Sequence, residues 1–380
     1  MTGDERACPL EVNGTAPLSV VFSTGEGFFA PGVVARLGPR NHMTLEVTTI
    51  DSLEAVSSSR WNHVVEASDL ATVYHRYGWL EAIERGTDHE PRHLVVSKRG
   101  EPIAVFPNVR TDLGPASQLT SIVPGFGGPI VTGEETAALD RLLEAVVERC
   151  ASTTLASTVQ TFGTDWIRYN ELFEAHGYEL RVEWCRFLLA LERDWESILA
   201  EMDRSRRRGI RRGHEYDVEI TDEELTPQTA AAFYESYAKI MDRVGHPELP
   251  RSFFLALTGF DDRVKLFSIT VDGTDCGSFL YLLDDEQSTV HYLATSVPEE
   301  YFEYHAAELL HEHAIRWAIE HGYEAYNFRG AKTDFRDGLF RFKDQFGARV
   351  TPTLTWERGL PSPTLPLVNG GRSLYRRYRS

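Results

Sequence analysis

The chain has 380 residues, with 57 acidic residues against 39 Lys and Arg, so its formal net charge is −18 at neutral pH. This length predicts two or three domains with large hydrophobic cores. General disorder is excluded because 42% of the residues are hydrophobic, and the acidic balance argues against non-specific nucleic-acid binding, including DNA, as the main role.

Residues 1–43 are rich in Gly, Pro and small residues, which predicts a poorly ordered arm. Alternation over 45–50 predicts a strand, and WNHVVEAS after it resembles a helix. Residues 93–97 and 102–109, separated by the turn KRGE, predict a hairpin. A helix follows, with apolar residues at helical spacing: Leu139, Leu142, Leu143, Val146 and Val147.

The second half repeats this order of predicted elements. Residues 265–271 and 278–283 predict another hairpin, and 289–296 predicts the next strand. A helix then ends at Gly322, before a strand over 323–328. The residues on one stripe of this helix are Leu309, Leu310, His313, Ala314, Trp317 and Ala318.

The repeated order predicts a tandem duplication with an α+β fold, in which helices pack on mixed sheets. We place the first domain at 44–190, the second at 191–358 and a tail at 359–380. Chance recurrence of the common hairpin-then-helix order is the alternative. The glycine-rich stretch 125–128 reads GFGG and is not a dinucleotide fingerprint.

The expected compartment is the reducing cytoplasm. The four cysteines are far apart and form no Cys-x-x-Cys pair. No apolar run approaches the roughly 18–20 residues of a membrane span, and the N-terminus shows no secretory signal pattern. Basic residues are mostly arginine, which fits a salt-adapted host. A GC-rich genome would give the same bias, and both interpretations stay open.

Residues 204–212 hold six arginines. Asp194 is a plausible N-cap. If one helix runs on from Trp195, Arg206 falls on its apolar stripe and points along a cleft towards an anionic ligand, which guanidinium groups bind well. The alternative is a solvated face, with the first helix ending near Met202.

A second informative stretch is GLFRFKDQFG, residues 338–347. A lysine flanked closely by aromatic residues is partly desolvated, which strengthens its attraction for anions and makes its pKa sensitive. The alternative is an amphipathic helix with an exposed lysine. The aromatic residues around Lys343 in sequence are Phe335, Phe340, Phe342 and Phe346.

Together these motifs resemble those of the Fem-type aminoacyl and acyl transferases, a branch of the GNAT-like fold with two such domains in tandem. The family pattern G-[LI]-[YF]-x-F-K-x-x-F-G is matched throughout by 338–347. The family's aromatic-Asp-aromatic-x-Gly strand is matched less well, because Asn327 stands where Asp is usual. The family's basic stretch R-x-x-I-R-[KR] is matched by Arg207, Ile210, Arg211 and Arg212.

The resemblance implies acyl transfer from aminoacyl-tRNA or acyl-CoA to an amine or hydroxyl of an envelope precursor, polysaccharide or small metabolite. The acceptor would be a small molecule or linked to a lipid or nucleotide, with tRNA as a partner if it is the donor. It implies no metal and no tightly bound cofactor. Lys343 would lie near a substrate phosphate or the developing oxyanion, and Arg207 and Arg211 near anionic substrate groups.

Three further residues lie at the predicted junction of strand and helix, where each could relay a proton or simply pack: Tyr292, Tyr304 and His305. The GNAT pyrophosphate loop [QR]-x-x-G-x-[GA] is not found at 296–310, which weakens the case for tight CoA binding. The predicted catalytic residues are Lys343, Tyr292 and His305. The predicted substrate-binding residues are Arg206, Arg207, Arg211, Tyr304 and Phe346.

The sequence leaves room for two other interpretations, a metal site and a non-catalytic function. Histidines 311 and 313 would point about 200° apart on a helix, so they do not predict a metal site. A non-catalytic anion-binding protein on the duplicated scaffold is the alternative function, and Asn327 in place of Asp leaves room for it.

Overall fold

The structure is a computed structural model that describes residues 45–150, 152–260 and 263–360. The arm predicted at 1–43 lies outside the described residues, as does the predicted tail beyond residue 360. In the described ranges no helix is long and apolar enough to cross a membrane.

The first half contains the strand, hairpin and helix that its sequence predicts. Its elements in chain order are β1 (Glu46–Ile50), α1 (Ser58–Glu66), α2 (Tyr77–Gly86), β2 (Glu90–Pro91), β3 (His93–Lys98), β4 (Glu101–Phe106), β5 (Asn108–Asp112), β6 (Ser117–Ser121), β7 (Ile130–Val131), α3 (Glu135–Arg149), β8 (Thr154–Gln160), α4 (Asn170–Ala175) and β9 (Glu179–Ala190). The predicted hairpin is β3–β4, and the predicted helix with the leucine stripe is α3.

The second half repeats the pattern after a helical entry. Its elements are α5 (Trp195–Glu201), α6 (Arg204–Gly213), β10 (Val218–Glu223), α7 (Pro227–Arg243), α8 (Arg251–Ala256), β11 (Val264–Val271), β12 (Thr274–Asp284), β13 (Thr289–Thr295), α9 (Ala306–Glu320), β14 (Ala325–Lys332), α10 (Gly338–Asp344) and β15 (Arg349–Gly359). The second predicted hairpin is β11–β12, and α9 is the predicted helix that ends before Gly322.

The strands form two sheets. A four-stranded sheet has the order β1-β3-β4-β7, and an eleven-stranded sheet has the order β10-β11-β12-β13-β14-β9-β15-β8-β6-β5-β2. Each half contributes one parallel pair, β6–β8 in the first and β13–β14 in the second, and the other pairs are antiparallel. The matching position of the two parallel pairs agrees with the predicted duplication.

The two halves exchange their last strands. β9 ends the first half but pairs with β14 of the second, and β15 ends the second half but pairs with β8 of the first. β9 and β15 also pair with each other, which joins the halves into one sheet. The predicted boundary near residue 190 falls just after β9, so the halves of the sequence and the halves of the sheet do not coincide.

Two hydrophobic cores lie on opposite faces of the large sheet, since successive residues of β12 alternate between a first core, which contains Leu280, and a second core, which contains Tyr281. The first core contains side chains from both halves. Trp79 of α2 meets Phe253 of α8 edge-on, with ring centroids 5.4 Å apart. Gly86 permits this contact, because a Cβ there would lie 2.4 Å from the Cα of Phe253. The halves therefore share a core as well as a sheet.

The arginine-rich segment is two helices and not one. α5 ends before Met202, whose backbone is extended, and Asp203 caps α6 through its side chain. The predicted N-cap at Asp194 is confirmed. The continuous helical count from Trp195 that put Arg206 on the apolar stripe is wrong, because the break resets the helical phase.

Candidate active site

The parallel strands β13 and β14 separate part-way along their length. Backbone pairing joins only their first three residues and ends at His291 and Asn327. The other edge of β13 stays paired with β12 as far as Thr295. We call the opening between residues 292–295 and 328–332 the gap. Among the described residues β13 and β14 make no backbone pairs across this gap.

A chain of buried hydrogen bonds fixes the closed end of the gap. The amide of Arg329 donates to Oδ1 of Asn327 (3.0 Å), so Nδ2 of Asn327 is the donor to Nδ1 of His291 (2.8 Å). His291 therefore carries its proton on Nε2 and donates to Asp284 (3.2 Å). Burial, reinforced by Arg186 and Arg329, lowers the pKa of His291 to about 3, so the ring is neutral.

This chain explains the asparagine that departs from the family pattern. With Nδ1 of the neutral His291 acting as acceptor, the partner at position 327 must donate, which an ionised aspartate cannot do. Asn327 also holds Arg329 in the left-handed region, at φ 65°, by accepting from its amide. The asparagine is therefore consistent with an intact site.

Arg329 spans the gap. Its Nη1 donates to the carbonyl oxygen of Leu293 on the facing strand. Its charge lowers the pKa of Lys343 and opposes the larger, burial-driven rise in the pKa of Tyr74. A permanent cation therefore lies at the centre of the site. Sequence reasoning missed this arginine, and the sequence signal for it was its place two residues after Asn327, in the strand that departs from the family pattern.

Lys343 is almost completely buried, with 5% of its surface exposed. It lies on α10, and its Nζ donates to the carbonyl oxygen of Gly330 in β14 (2.8 Å). Burial first, and then the charge of Arg329, lower the pKa of Lys343 from 10.5 to about 7. The predicted desolvation is thus present, although Phe335, 73% exposed, takes no part in it. The catalytic role predicted for Lys343 stays a prediction.

Several predicted residues converge on one histidine. The buried ring of His311 on α9 meets Tyr292 and Phe346, with ring centroids 5.1 and 5.2 Å away. Burial, followed by the charges of Lys343 and Arg206, holds the pKa of His311 well below its usual value. Sequence reasoning considered this histidine only as a metal ligand. In the described residues no cluster of His, Cys, Asp and Glu could hold a metal ion.

The predicted proton relays differ in their surroundings. Burial raises the pKa of Tyr292 to about 12, so its phenol is neutral and can donate a hydrogen bond. His305 caps α9 in the left-handed region at φ 57°, with its Nδ1 3.5 Å from Glu308. Tyr304 packs edge-on against Tyr216, 5.2 Å between ring centroids. Tyr292 is the one that borders the gap.

Arg206 is held by the protein itself. It donates to Glu308 (2.7 Å) and to Gln345 (3.2 Å), and its guanidinium lies over the ring of Phe342 at 4.5 Å. Phe346 is fully buried in the second core. These contacts favour structural roles for both residues over the predicted contacts with substrate.

The family-motif arginines lie on the outer side of α6. Arg211 is exposed, and the half-buried Arg207 makes a long hydrogen bond to the carbonyl oxygen of Ala200 (3.4 Å). The opposite side of α6 packs on α9 through Gly209 and Gly213. Arg207 and Arg211 keep the capacity to bind an anion, and that role stays a prediction.

Part of the sequence is similar to that of known proteins. Residues 198–343, which include β13, β14 and Lys343, match the family model of an acetyltransferase (GNAT) domain. A segment of 66 residues is 33% identical to the aminoacyltransferase FemB of Staphylococcus epidermidis, and it covers 16% of this chain and 16% of that protein. The match thus spans less than a fifth of the length of this relative.

Solved structures resemble the chain over most of its length. A FemX structure has a TM-score of 0.65 at 14% identity, covering 82% of this chain and 98% of that one. The C-terminal domain of a putative lysylphosphatidylglycerol synthetase from Agrobacterium fabrum has a TM-score of 0.55 at 14% identity, covering 84% and 97%. A tandem GNAT protein from the clavulanic acid biosynthesis pathway has a TM-score of 0.52 at 12% identity, covering 83% and 99%. The predicted tandem GNAT-like α+β fold is confirmed.

Proposed function

Because the chain belongs to the Fem-type branch of the GNAT-like acyltransferases, we propose that it transfers an acyl or aminoacyl group from an activated ester or thioester to an amine or hydroxyl. The resemblance predicted from the motifs is thereby confirmed. The reaction is placed at the gap between β13 and β14. The observation that carries this placement is Lys343, a buried lysine of lowered pKa at the edge of that gap.

In the proposed reaction the acceptor nitrogen or oxygen attacks the carbonyl carbon of the donor. A C–N or C–O bond forms, the bond to the donor oxygen or sulfur breaks, and the acceptor loses one proton. The carbonyl oxygen carries a negative charge in the tetrahedral intermediate, and fixed donors that face this charge lower the barrier. No metal is required for these steps.

Lys343 is suited to stabilise that oxyanion. One N–H of its ammonium group is held by the carbonyl oxygen of Gly330, which fixes the direction of the side chain. The remaining N–H groups can donate to the oxyanion in surroundings that exclude water and strengthen the interaction. The Tyr292 phenol, which is uncharged, is a second hydrogen-bond donor on the same side of the sheet.

The start of α9 is unsuited to a pyrophosphate. Glu308 lies in its first turn and accepts from Arg206, and the preceding 3-10 helix begins with Glu299 and Glu300. Carboxylates occupy the positive end of the helix that would attract a diphosphate. A CoA donor would need a binding site for its diphosphate elsewhere, whereas an aminoacyl-tRNA donor does not need a diphosphate site at the start of α9.

The class of acceptor is proposed by analogy with the relatives. FemB is an aminoacyltransferase, and a second structural relative is part of a putative lysylphosphatidylglycerol synthetase. We propose an acceptor amine or hydroxyl on an envelope precursor, a lipid or polysaccharide, or a small metabolite. Arg207 and Arg211, on the outer side of α6, are the proposed contacts for its phosphates or for those of tRNA.

The test uses the purified full chain with two donor panels, acyl-CoA thioesters read by thiol release and labelled aminoacyl-tRNAs read by label transfer. Lys343→Met is expected to lower kcat/KM at least a hundredfold, since a buried charged donor to the oxyanion is lost. Arg207→Gln and Arg211→Gln are expected to raise KM about tenfold or more, with kcat little changed.

Lys239→Met is the matched control, because this lysine is exposed on α7. It should retain the kcat/KM of the parent. Unchanged kcat/KM in Lys343→Met would contradict the placement of the reaction at the gap. Binding of both donors without any transfer would instead support the alternative of a non-catalytic anion-binding protein.

A further inference from the structure

Arg186 lies on the opposite face of the sheet from Lys343. It follows Cys185 on β9, and the side chain of Cys185 points into the second core. Successive residues of a strand alternate in direction, so Arg186 points to the other face. There its guanidinium lies over Phe162, with its central carbon 4.0 Å from the ring centroid, and the ring of Phe162 meets that of His291 at a centroid distance of 4.8 Å.

Two nitrogens of the buried Arg186 guanidinium lack a hydrogen bond in the part of the chain that the structure describes. The residue is 3% exposed, and its Nε and Nη1 have no hydrogen-bond partner among the described residues. Burial lowers its pKa from the usual value to about 10, opposed by Tyr74 and Asp165. Asp165 is exposed and gives it no hydrogen bond. Arginine at such a depth is ordinarily paired.

The backbone leaves room beside this guanidinium. Arg186 stands opposite Gly330 in the ladder between β9 and β14, so both residues face the same side. A Cβ at Gly330 would have only the carbonyl oxygen of Cys185 within 4 Å. Arg329, next to Gly330, enters the gap from the same strand, and both guanidiniums act on His291 and Tyr74. Two guanidiniums therefore lie near the closed end of the gap, and that of Arg186 is on the face away from Lys343.

We propose that Arg186 binds an anionic group of the acyl acceptor, a carboxylate or a phosphate, on the face of the gap opposite Lys343. The proposal rests on the proposed function, since it names a chemical feature of the acceptor of that reaction. Guanidinium binds both groups through paired N–H donors. Two permanent cations would repel an ammonium group here, so the part of the acceptor held at this position is anionic and its nucleophile lies nearer Lys343.

The first experiment measures binding without turnover. Melting temperatures of the parent, Arg186→Met and Arg186→Lys are compared in sodium acetate and in sodium phosphate, against sodium chloride of equal ionic strength. The parent should gain about 3 °C at ten times the dissociation constant of the preferred anion. Arg186→Met should lose this gain, and Arg186→Lys should keep part of it. The two salts distinguish a carboxylate from a phosphate.

Arg186→Met should also melt higher than the parent in chloride, because it removes a buried charge that lacks a partner. Arg85→Met is the control, since Arg85 is an exposed arginine on α2 with 66% of its side chain accessible. It should keep the anion response of the parent. A lower melting temperature for Arg186→Met in chloride would mean that Arg186 is paired within the protein, and would overturn the proposal.

The anion response and donor turnover together distinguish a failure of this proposal from a failure of the proposed function. If Arg186→Met responds to acetate and phosphate as the parent does, Arg186 is not an anion site, whatever the protein catalyses. If the anion response is lost in Arg186→Met but no donor is turned over, the anion site stands and the proposed function fails. With an active enzyme, Arg186→Met should raise KM for the anionic acceptor more than it lowers kcat.

Discussion

Replacing Lys343 with methionine tests the central feature of the site through stability as well as turnover. Methionine has a similar length and carries no charge. A lysine whose pKa falls from 10.5 in the unfolded chain to about 7 in the fold destabilises the fold by about 5 kcal/mol at acidic pH. The destabilisation is fully present below pH 7 and disappears as the pH rises towards 10.5, because the unfolded chain then also loses the proton.

The expected signature is a difference between two pH profiles. The free energy of unfolding of the parent, relative to Lys343→Met, should rise by about 2 kcal/mol between pH 7 and pH 9. Urea denaturation of both proteins at pH 6, 7, 8 and 9 measures it, and groups that titrate equally in both proteins cancel. A flat difference across this range would refute the lowered pKa, and with it the account of Lys343 as a desolvated cation.

Two further predictions concern how the halves are joined. Gly86→Ala should lower the free energy of unfolding by about 1–3 kcal/mol, because its Cβ would meet the backbone of α8 at 2.4 Å. The control Gly133→Ala should change it little, since a Cβ there has no atom within 4 Å, and equal effects of the two substitutions in urea denaturation would contradict the close approach. The isolated fragment 191–380 should not unfold cooperatively at the melting temperature of the full chain, since it lacks the strands that pair with β14 and β15; a calorimetric transition at that temperature would contradict this.

The sequence predicted local elements well because their signals are local. Both hairpins, the leucine-striped α3 and the helix before Gly322 are present, and each rests on a periodicity within about 15 residues. The sequence analysis favoured one unbroken helix and kept the break at Met202 as the alternative, because an unbroken helix satisfied the same apolar spacing. The exchange of β9 and β15 was not predicted, since no local pattern encodes a pairing between residues so far apart.

The site was predicted in part, for a similar reason. The motif led to Lys343, for which the sequence predicted partial desolvation and a sensitive pKa, and the structure shows burial and a lowered pKa. Arg186 and Arg329 were missed because an isolated arginine in a strand carries no motif, and only the fold brings them to the gap. The pairing of Arg206 with Glu308 was not predicted, since the two residues are about 100 apart in sequence and meet only through the packing of α6 on α9. The substrate-binding role of Arg206 stays a prediction.

The exchanged strands also bear on how the chain folds as it leaves the ribosome. β8 ends at Gln160, and its partner β15 begins at Arg349, about 190 residues later. At translation rates of about 5–20 residues per second, the edge of β8 waits for roughly 10–40 seconds before its partner is made. β9, made in the meantime, also waits for β14 and β15.

An open edge of this kind attracts other strands, from the same chain or from a neighbour on the same polysome. Two nascent copies could each supply the other's missing strand and form a domain-swapped dimer. Slow synthesis of the second half would lengthen this exposure, so the yield of monomer should depend on codon usage between β9 and β15 and on chaperones that cover unpaired strands.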